Sequence, residues 1–576
     1  MDPLWLRQYP AGMPAQVRTD THPSLVALLA HSIAKHRPRV AFSCMGRQMR
    51  YGELDDLSIA LAAWLQAQGL QRGDRVALML PNVLPLPVAV LAVLRAGGVV
   101  VNIGPELPQA ELQHRLHDSG ARVCIASETA AAALQAVVDS GTVALRTVVV
   151  ASLGDLQGAL RGPLLNHWQR RVKRSVPRWH IRGAVGLSTA LEQGRHKTLA
   201  PVAVGPDDLA ALQYTGGTTG TSRGAVLLHR NLVANLLQAE AWNAPALQLL
   251  QSGTSESTST STTTSEGETL VQVGALPLHH IYGFTLVLLL GLHLGGCTVL
   301  IPNPQDTTGM LKLLARHRVH CFAGVNALFQ RVAEHPDVDR VDWSHLRLAV
   351  GGATAVEAPT ALLWLLKTGV PICQGYGLSE AGPAVTCNPV TATAFSPHLG
   401  LPLPGTDVKL IDDEGRPVPA GLPGEIAVRG PQVMAGYWQR PDDTARVMTA
   451  DGYLRTGDIG QFGEDGGLRL VDRKKDLIFV SGFNVYPNEV ETVVSQLAGV
   501  ESCAAVAMPD DKAGEAVRLV LVKTDPTSAA PSEADVRAHC AVHLAGYKRP
   551  KVVEFRPELP TSAVGKVLRR ELRGSL

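Results

Sequence analysis

Paired cysteines are what this chain of 576 residues most plainly lacks. Its eight cysteines stand singly, with no CxxC anywhere, which argues against a disulfide scaffold or a thiolate zinc site and suits a reducing, cytoplasmic setting. An excess of one charge is missing too. Lys and Arg number 53 against 51 Asp and Glu, so the basic footprint of a nucleic-acid binder is not there. The first residues, MDPLWLRQYPAG, contain no basic stretch leading into an apolar one, and no secretory leader is expected from them. Long hydrophobic runs are scarce. Residues 281–301 form one, but it carries His293 and several glycines and stops at Pro302, so it reads as a buried helix followed by a strand.

What the chain does have is glycine and threonine crowded into YTGGTTGTSRG, residues 214–224. A strand-like lead at 209–213 precedes it, and an apolar run in helical register, 227–237, follows. Glycines let backbone N–H groups face an anion with no Cβ in the way, and hydroxyls with Arg223 complete a cradle. The segment reads as a polyphosphate-binding loop. It is not the P-loop of NTPases, because no lysine stands where that signature needs one.

Strand-like and helix-like patterns alternate along the first half. Residues 75–80, 99–102, 121–126 and 147–151 read as strands, and 53–68 sets Leu54, Leu57, Leu61 and Leu65 on one helical face. This predicts an α/β fold, with a large N-terminal domain of α/β subdomains and mainly parallel sheets. Turn-rich segments after residue 400 separate short strands at 408–411 and 425–429, a small antiparallel β subdomain over about 400–470. Beyond Asp472 the pattern is a small, mobile α+β domain: strand 477–481, helix 488–497, strands 503–507 and 517–523, helix 533–543 and strand 552–555. The expected boundary sets residues 1–474 apart from 475–576, with the charge run 471–476 as a hinge. The tract SGTSESTSTSTTTSEGE, residues 252–268, has nothing apolar to bury and is expected to be a disordered loop. Between 168 and 182, arginines and a lysine alternate with Val172, Val176 and Trp179. That mixture suits either a solvated surface element or contact with an anionic membrane surface.

Four more segments carry residues with chemistry: LPLHHIYG at 276–283, QGYGLSE at 374–380, YLRTGDIG at 453–460 and LPTSAVGKVLRRELR at 559–573. Together with the loop, and with WLRQYP, RGDRVALMLPN, GPQVMAGYWQRP and DRKKDLIFVSGFNVYPNEVE, they make the chain resemble the adenylate-forming superfamily. Within it, the likeness is to the bacterial long-chain fatty acyl-CoA synthetases, over nearly the whole length. The resemblance implies two steps. A fatty acid carboxylate attacks the α-phosphate of ATP, giving acyl-adenylate and pyrophosphate, and the thiol of coenzyme A then takes the acyl group and releases AMP.

The same resemblance assigns residues. Tyr214, Thr215, Gly216, Gly217, Thr218, Thr219, Gly220, Thr221, Ser222, Arg223, Gly224 and Ala225 would grip the phosphates of ATP. Tyr376, between Gly375 and Gly377, would pack on adenine; Ser379 would touch the α-phosphate and Glu380 would hold Mg²⁺. Asp458 and Arg473 would bind the ribose, Lys475 would mark the hinge, and Ser481, Gly482 and Phe483 would line the coenzyme A channel. Lys566 would bridge carboxylate and α-phosphate, and His280 and Glu380 join it as catalytic candidates. The physical demand is that two anions be held together against repulsion, which a cation at the reacting centre provides. Expected partners are a long-chain fatty acid, ATP and coenzyme A, with no nucleic acid and with peripheral contact to the inner face of the cytoplasmic membrane as an option.

An apolar tunnel for the acyl chain, gaining roughly 0.8 kcal/mol per buried methylene, is expected among residues 281–290, 322–329, Gly351 and Gly352. Two residues depart from the family pattern: Arg223 replaces a usual lysine and Ser379 a usual threonine. Other readings stay open at this point. They are a medium-chain or aryl acid ligase, transfer to a carrier protein, and a nucleotide-binding protein without turnover.

Overall fold

A computed structural model of the chain describes residues 4–215, 222–247, 269–419, 421–464, 466–481, 483–510, 512–562 and 567–573. The Ser/Thr tract, residues 216–221 of the glycine-rich loop, Gly482 and Lys566 lie outside them. Chain contacts define two compact units: Met1–Asp407 with Arg429–Met448, and Val408–Val428 with Thr449–Leu576.

In the first unit, short apolar runs become parallel strands. Arg75–Met79, Val99–Asn102, Val123–Ser127 and Thr147–Ala151 are buried nearly end to end, as strands covered on both faces must be. Among the described residues their sheet has seven strands, in the order Val185–Gly186, Thr147–Ala151, Val123–Ser127, Arg75–Met79, Val99–Asn102, Leu209–Thr215 and Arg223–Leu228. All neighbours are parallel except the last two, which form a hairpin. Leu112 and Leu116 from helix Gln109–Ser119, and Leu134 and Val137 from Ala131–Asp139, close one face of the core. The expected helix at 227–237 begins later than its pattern suggested. Arg223–Leu228 is the return strand, and the helix runs His229–Leu247. Pairing with Leu209–Thr215 overrides helical register in those first residues.

A second sheet of nine described strands has a parallel centre, Ile372–Gly377, Leu348–Gly351, Cys321–Gly324, Val271–Gly274, Cys297–Leu300 and Val40–Cys44, with antiparallel strands at both edges. The apolar run is a helix and then a strand, as its composition predicts. Tyr282–Leu289 is wound as a π-helix, Leu290–His293 continues it as α-helix, and Cys297–Leu300 is the strand. The Gln272 amide enters this helix, donating to the Val287 carbonyl at 2.6 Å. A side chain inserted into the ladder is a known cause of such widening.

The second unit is built from antiparallel pairs. Gly424–Arg429, Leu454–Phe462 and Leu468–Arg473 follow one another in a four-stranded sheet. Val500–Asp510 and Gly514–Lys523 form a long ladder in a five-stranded one. Helices Pro487–Val494 and Glu533–His543 lay Val490, Val494, Val536 and Cys540 on that sheet, beside Val517, Leu519 and Leu521.

Candidate active site

The site begins at the hairpin that brackets residues 216–221. Its register sets Tyr214 opposite Gly224 and Thr215 opposite Arg223. Tyr214 is buried, and its hydroxyl donates to Asp118 Oδ2 at 2.7 Å. A Cβ on Gly224 would stand 3.3 Å from the Tyr214 ring, tighter than ordinary packing allows. These two residues fix the base of the loop. The Ser222 carbonyl is met by His114 Nε2 at 2.9 Å.

Beside the return strand runs the segment GYW of residues 436–438. Val226 N–H donates to the Gly436 carbonyl at 2.9 Å and Trp438 N–H to the Gly224 carbonyl at 2.8 Å. This brings Tyr437 to the loop. The Arg223 guanidinium lies over the Tyr437 ring, 5.4 Å from its centroid, and its Nε pairs with Asp443 Oδ2 at 3.1 Å. The Tyr437 hydroxyl donates to Glu380 Oε1 at 2.8 Å. Burial, then the Glu380 charge, holds that phenol well above its ordinary pKa, so it stays a donor. Glu380 sits on the short 3₁₀ turn Ser379–Ala381, which also carries Ser379, and its carbonyl accepts from Met434 N–H at 2.7 Å. A cation, a phenol and a carboxylate thus meet where the loop leaves its strand. Glu380 carries hard carboxylate oxygens of the kind Mg²⁺ takes, commonly one or two carboxylates with phosphate and water completing its shell.

Tyr376 ends the strand Ile372–Gly377, half-buried, in register with Thr386. The glycines around it have separate reasons. A Cβ on Gly377 would lie 2.2 Å from the Pro383 carbonyl oxygen, and one on Gly375 3.3 Å from that of Thr386. The two histidines follow the strand Val271–Gly274. Asn82 holds their segment by donating to the Gly274 and Leu276 carbonyls and accepting from Leu278 N–H. Burial pushes both imidazoles down to about 4, with His280 adding to the shift of His279, so both are neutral near pH 7. His279 Nδ1 is buried and has no hydrogen-bond partner among the described residues. Its Nε2 would be 3.2 Å from a Cβ on Gly104. Sequence reasoning chose His280, whose Nδ1 accepts from Tyr282 N–H at 3.4 Å.

In the second unit Asp458 and Arg473 stand opposite each other in one ladder, Arg473 Nε to Asp458 Oδ1 at 3.4 Å. Asp458 is nearly buried. Lys475 lies in the turn Lys474–Asp476, where burial and then Arg473 draw its ammonium below the ordinary range. Ser481 has the left-handed φ of 51°, and Phe483 is exposed with its ring 4.9 Å from that of Tyr547. The flanks of Lys566 are held: Thr561 bridges Val567, and Leu568 N–H donates to the Pro560 carbonyl at 2.8 Å. Just beyond, Arg569 pairs with Glu491 at 2.7 Å and reaches Asn488 Oδ1 at 3.0 Å.

Sequence reasoning missed Tyr437 and Asp443, although GPQVMAGYWQRP was in view. It also missed the buried amides of helix His229–Leu247. Asn231 takes the Pro431 and Val433 carbonyls, Asn235 takes that of Ala384, and Gln238 takes that of Pro404. Their spacing of four and three residues on an otherwise apolar helix is the signal that marks them. They tie the Glu380 turn and the Tyr437 segment to one rigid element.

Comparison with known proteins shows the family. The sequence profile of the AMP-binding enzyme matches residues 29–438, and that of the AMP-binding enzyme C-terminal domain matches 489–566. A long-chain-fatty-acid–CoA ligase of Yersinia pestis is 46% identical over 574 residues, covering 100% of this chain and 98% of that protein. One from Bacillus subtilis is 32% identical, covering 99% and 97%. Among solved structures, ATP-bound MatB from Rhodopseudomonas palustris superposes with a TM-score of 0.79 at 28% identity, covering 95% of this chain and 98% of that one. The chain belongs to the AMP-binding enzyme family, the adenylate-forming enzymes.

Proposed function

We propose that the protein is an ATP-dependent long-chain fatty acid:CoA ligase of the AMP-forming kind. The observation that carries the nucleotide part is the meeting of Arg223, Tyr437 and Glu380 beside the loop hairpin. The acyl part rests on the names of relatives matched end to end. In the first step a carboxylate oxygen bonds to the α-phosphorus of ATP and the bond to pyrophosphate breaks. In the second, the sulfur of coenzyme A bonds to the acyl carbon, its proton leaves, and the bond to AMP breaks.

Arg223 faces the phosphates with a fixed charge, and its pairing with Asp443 limits the rotamers it must give up on binding. Tyr437 orients the Glu380 carboxylate through its hydrogen bond. Mg²⁺, held by Glu380, would neutralise phosphate charge. Asp458, paired with Arg473, keeps an acceptor toward a ribose. Neutral His279 and His280 each keep one ring N–H that can donate to an acyl carboxylate. Lys566 supplies the cation for adenylation, and a C-terminal domain that turns at Lys475 removes it for thioester formation, while Ser481, Gly482 and Phe483 line the coenzyme A path. Peripheral contact with a membrane surface belongs to the same reading.

Pyrophosphate release with ATP and a panel of acids from C8 to C18, aryl acids included, tests the substrate, and thioester formation on adding coenzyme A tests the acceptor. The expected result is release greatest with the longer chains, followed by acyl-CoA. Release limited to aryl or short acids would overturn the substrate. Adenylate that never passes to coenzyme A would overturn the acceptor.

A further inference from the structure

One surface element of the first unit is at odds with its surroundings. Helix Arg161–His167 runs on into the π-turn Trp168–Val172. Leu160, Leu164, Trp168 and Val172 are 85, 70, 45 and 66% exposed. They recur every four residues. In an α-helix that spacing drifts by only about 40° per step, and the wider π-turn offsets the drift at its end. The four therefore form one apolar stripe facing solvent. Single exposed apolar residues are ordinary, but a contiguous row calls for an occupant.

The opposite face is fixed. Gly162 packs against Gly154 so closely that a Cβ on either would lie within 2.6 Å of the other's carbonyl oxygen. Asn166 Oδ1 accepts from Gly154 N–H at 2.7 Å, and Gln169 is buried. The helix cannot roll to hide its stripe.

The charge around it has one sign. From residue 156 to residue 191 the chain contains no Asp or Glu. Arg171, Lys173, Arg174 and Arg178 are exposed, and the Lys173 ammonium lies 5.7 Å from the Trp168 ring centre. Two carboxylates bonded beside it are already engaged: Glu128 is buried and takes Arg170, and Asp155 accepts from Ser152 N–H. The other long exposed pair, Leu362 and Leu366, differs in this respect, since adjacent Lys367 is neutralised by Asp339.

Leucine and tryptophan on one stripe, cations beside it and no acid in between describe an element that lies in a lipid interface, with tryptophan at headgroup level. At about 18 Å for twelve residues it is too short to cross a bilayer, and no helix among the described residues is long and apolar enough to do so. We propose that residues 160–174 dock this protein on anionic phospholipid, the stripe entering the acyl boundary and the cations meeting phosphate headgroups. The proposal deepens the lipid-substrate reading above, since a long-chain acid partitions into the same phase.

The test is cosedimentation of the full chain with vesicles of phosphatidylglycerol or phosphatidylcholine, with no substrate present, so it succeeds or fails apart from the ligase reading. The expected result is binding to phosphatidylglycerol at least tenfold tighter than to phosphatidylcholine, weakened by 0.5 M salt. The double variant Leu164→Glu/Trp168→Glu should lose binding at least tenfold. The variant Arg171→Glu/Lys173→Glu/Arg174→Glu should lose the preference for anionic lipid. Both should keep wild-type turnover on a detergent-dispersed fatty acid. If the glutamates hinder folding, Leu160→Ser/Leu164→Ser serves as the milder pair. Equal binding by wild type and stripe variants would overturn the proposal. So would a wild-type dimer, seen by sedimentation without lipid, that Leu164→Glu/Trp168→Glu dissociates, because a second copy would then cover the stripe.

Discussion

The two units hold themselves together in different ways. The first buries apolar strands between helices and places all eight tryptophans in that unit, with Trp64, Trp242 and Trp364 fully enclosed. Its site residues sit at strand ends and the turns after them, such as Arg223, Tyr376 and Glu380. The second has no tryptophan and spends part of its interior on charge. Arg569 faces Glu491 and Asp476, Arg573 also meets Asp476, and Arg518 is buried against Glu554. Ion pairs of this kind are poor sources of stability but costly to break, because the remaining partner is left buried and unpaired. The first unit thus sets its candidate site residues on strand ends and turns braced by an apolar core. The second fixes Pro560, Thr561 and residues 567–573 by directional contacts.

If that contrast holds, the largest effect lies at Lys566, next to the residues that the charges anchor. Lys566→Ala should lower pyrophosphate release by about a hundredfold to a thousandfold, the scale for losing a donor made for the transition state. Thioester formation from supplied acyl-adenylate should stay near wild type. Equal loss in both steps would show that the residue does not act on adenylation alone.

Next comes the anchor itself. Arg569→Ala removes a half-buried partner of Glu491 and should destabilise the second unit by about 2 kcal/mol, below the range for a fully buried pair. Amide exchange in Val500–Asp510 and Gly514–Lys523 should quicken accordingly, while the urea midpoint by tryptophan fluorescence stays put. A shift of that midpoint would mean the units do not hold themselves up separately. Smaller again is Arg223→Ala, expected to cost about tenfold in kcat/KM for ATP, roughly 1.4 kcal/mol, with Arg223→Lys restoring most of it. Because Arg223 is already paired with Asp443, Asp443→Asn should raise the KM for ATP rather than lower kcat.

The legibility of the two units differed for the same reason. Parallel strands buried on both faces announce themselves as apolar runs: Val99–Asn102 and Thr147–Ala151 stand where the pattern sets them. In the second unit, helix Glu533–His543 and strand Val552–Phe555 were equally plain. What sequence could not give was contact across distance. Tyr437 reaches Glu380 across 57 residues and Arg223 reaches Asp443 across 220, and no local period encodes either. The π-turn at Tyr282–Leu289, where the Val287 carbonyl accepts the Gln272 amide from strand Val271–Gly274, was hidden as well. Leu227 and Leu228, which end the strand Arg223–Leu228, looked helical because two apolar residues fit either period.

A pH dependence separates the units by sign. In the first, burial holds His229, His279 and His280 at about 4, below the 6.5 of an unfolded histidine. Between those values the unfolded chain binds more protons, so stability is complete above pH 6.5 and lost as pH falls toward 4. In the second, burial raises Asp472 to about 6 from 3.8. There the folded state binds the extra proton, so this group's contribution is complete below 3.8 and lost as pH rises through 6. Between pH 6.5 and 4 the urea midpoint by tryptophan fluorescence should therefore fall. Exchange of the backbone amides in Val500–Asp510, corrected for its intrinsic pH dependence, should slow slightly over the same range. Asp472→Asn should abolish the second trend and leave the first untouched. Parallel trends in both readouts would mean that one cooperative transition spans the chain, and the contrast between an apolar-cored and a charge-anchored unit would then have no thermodynamic content.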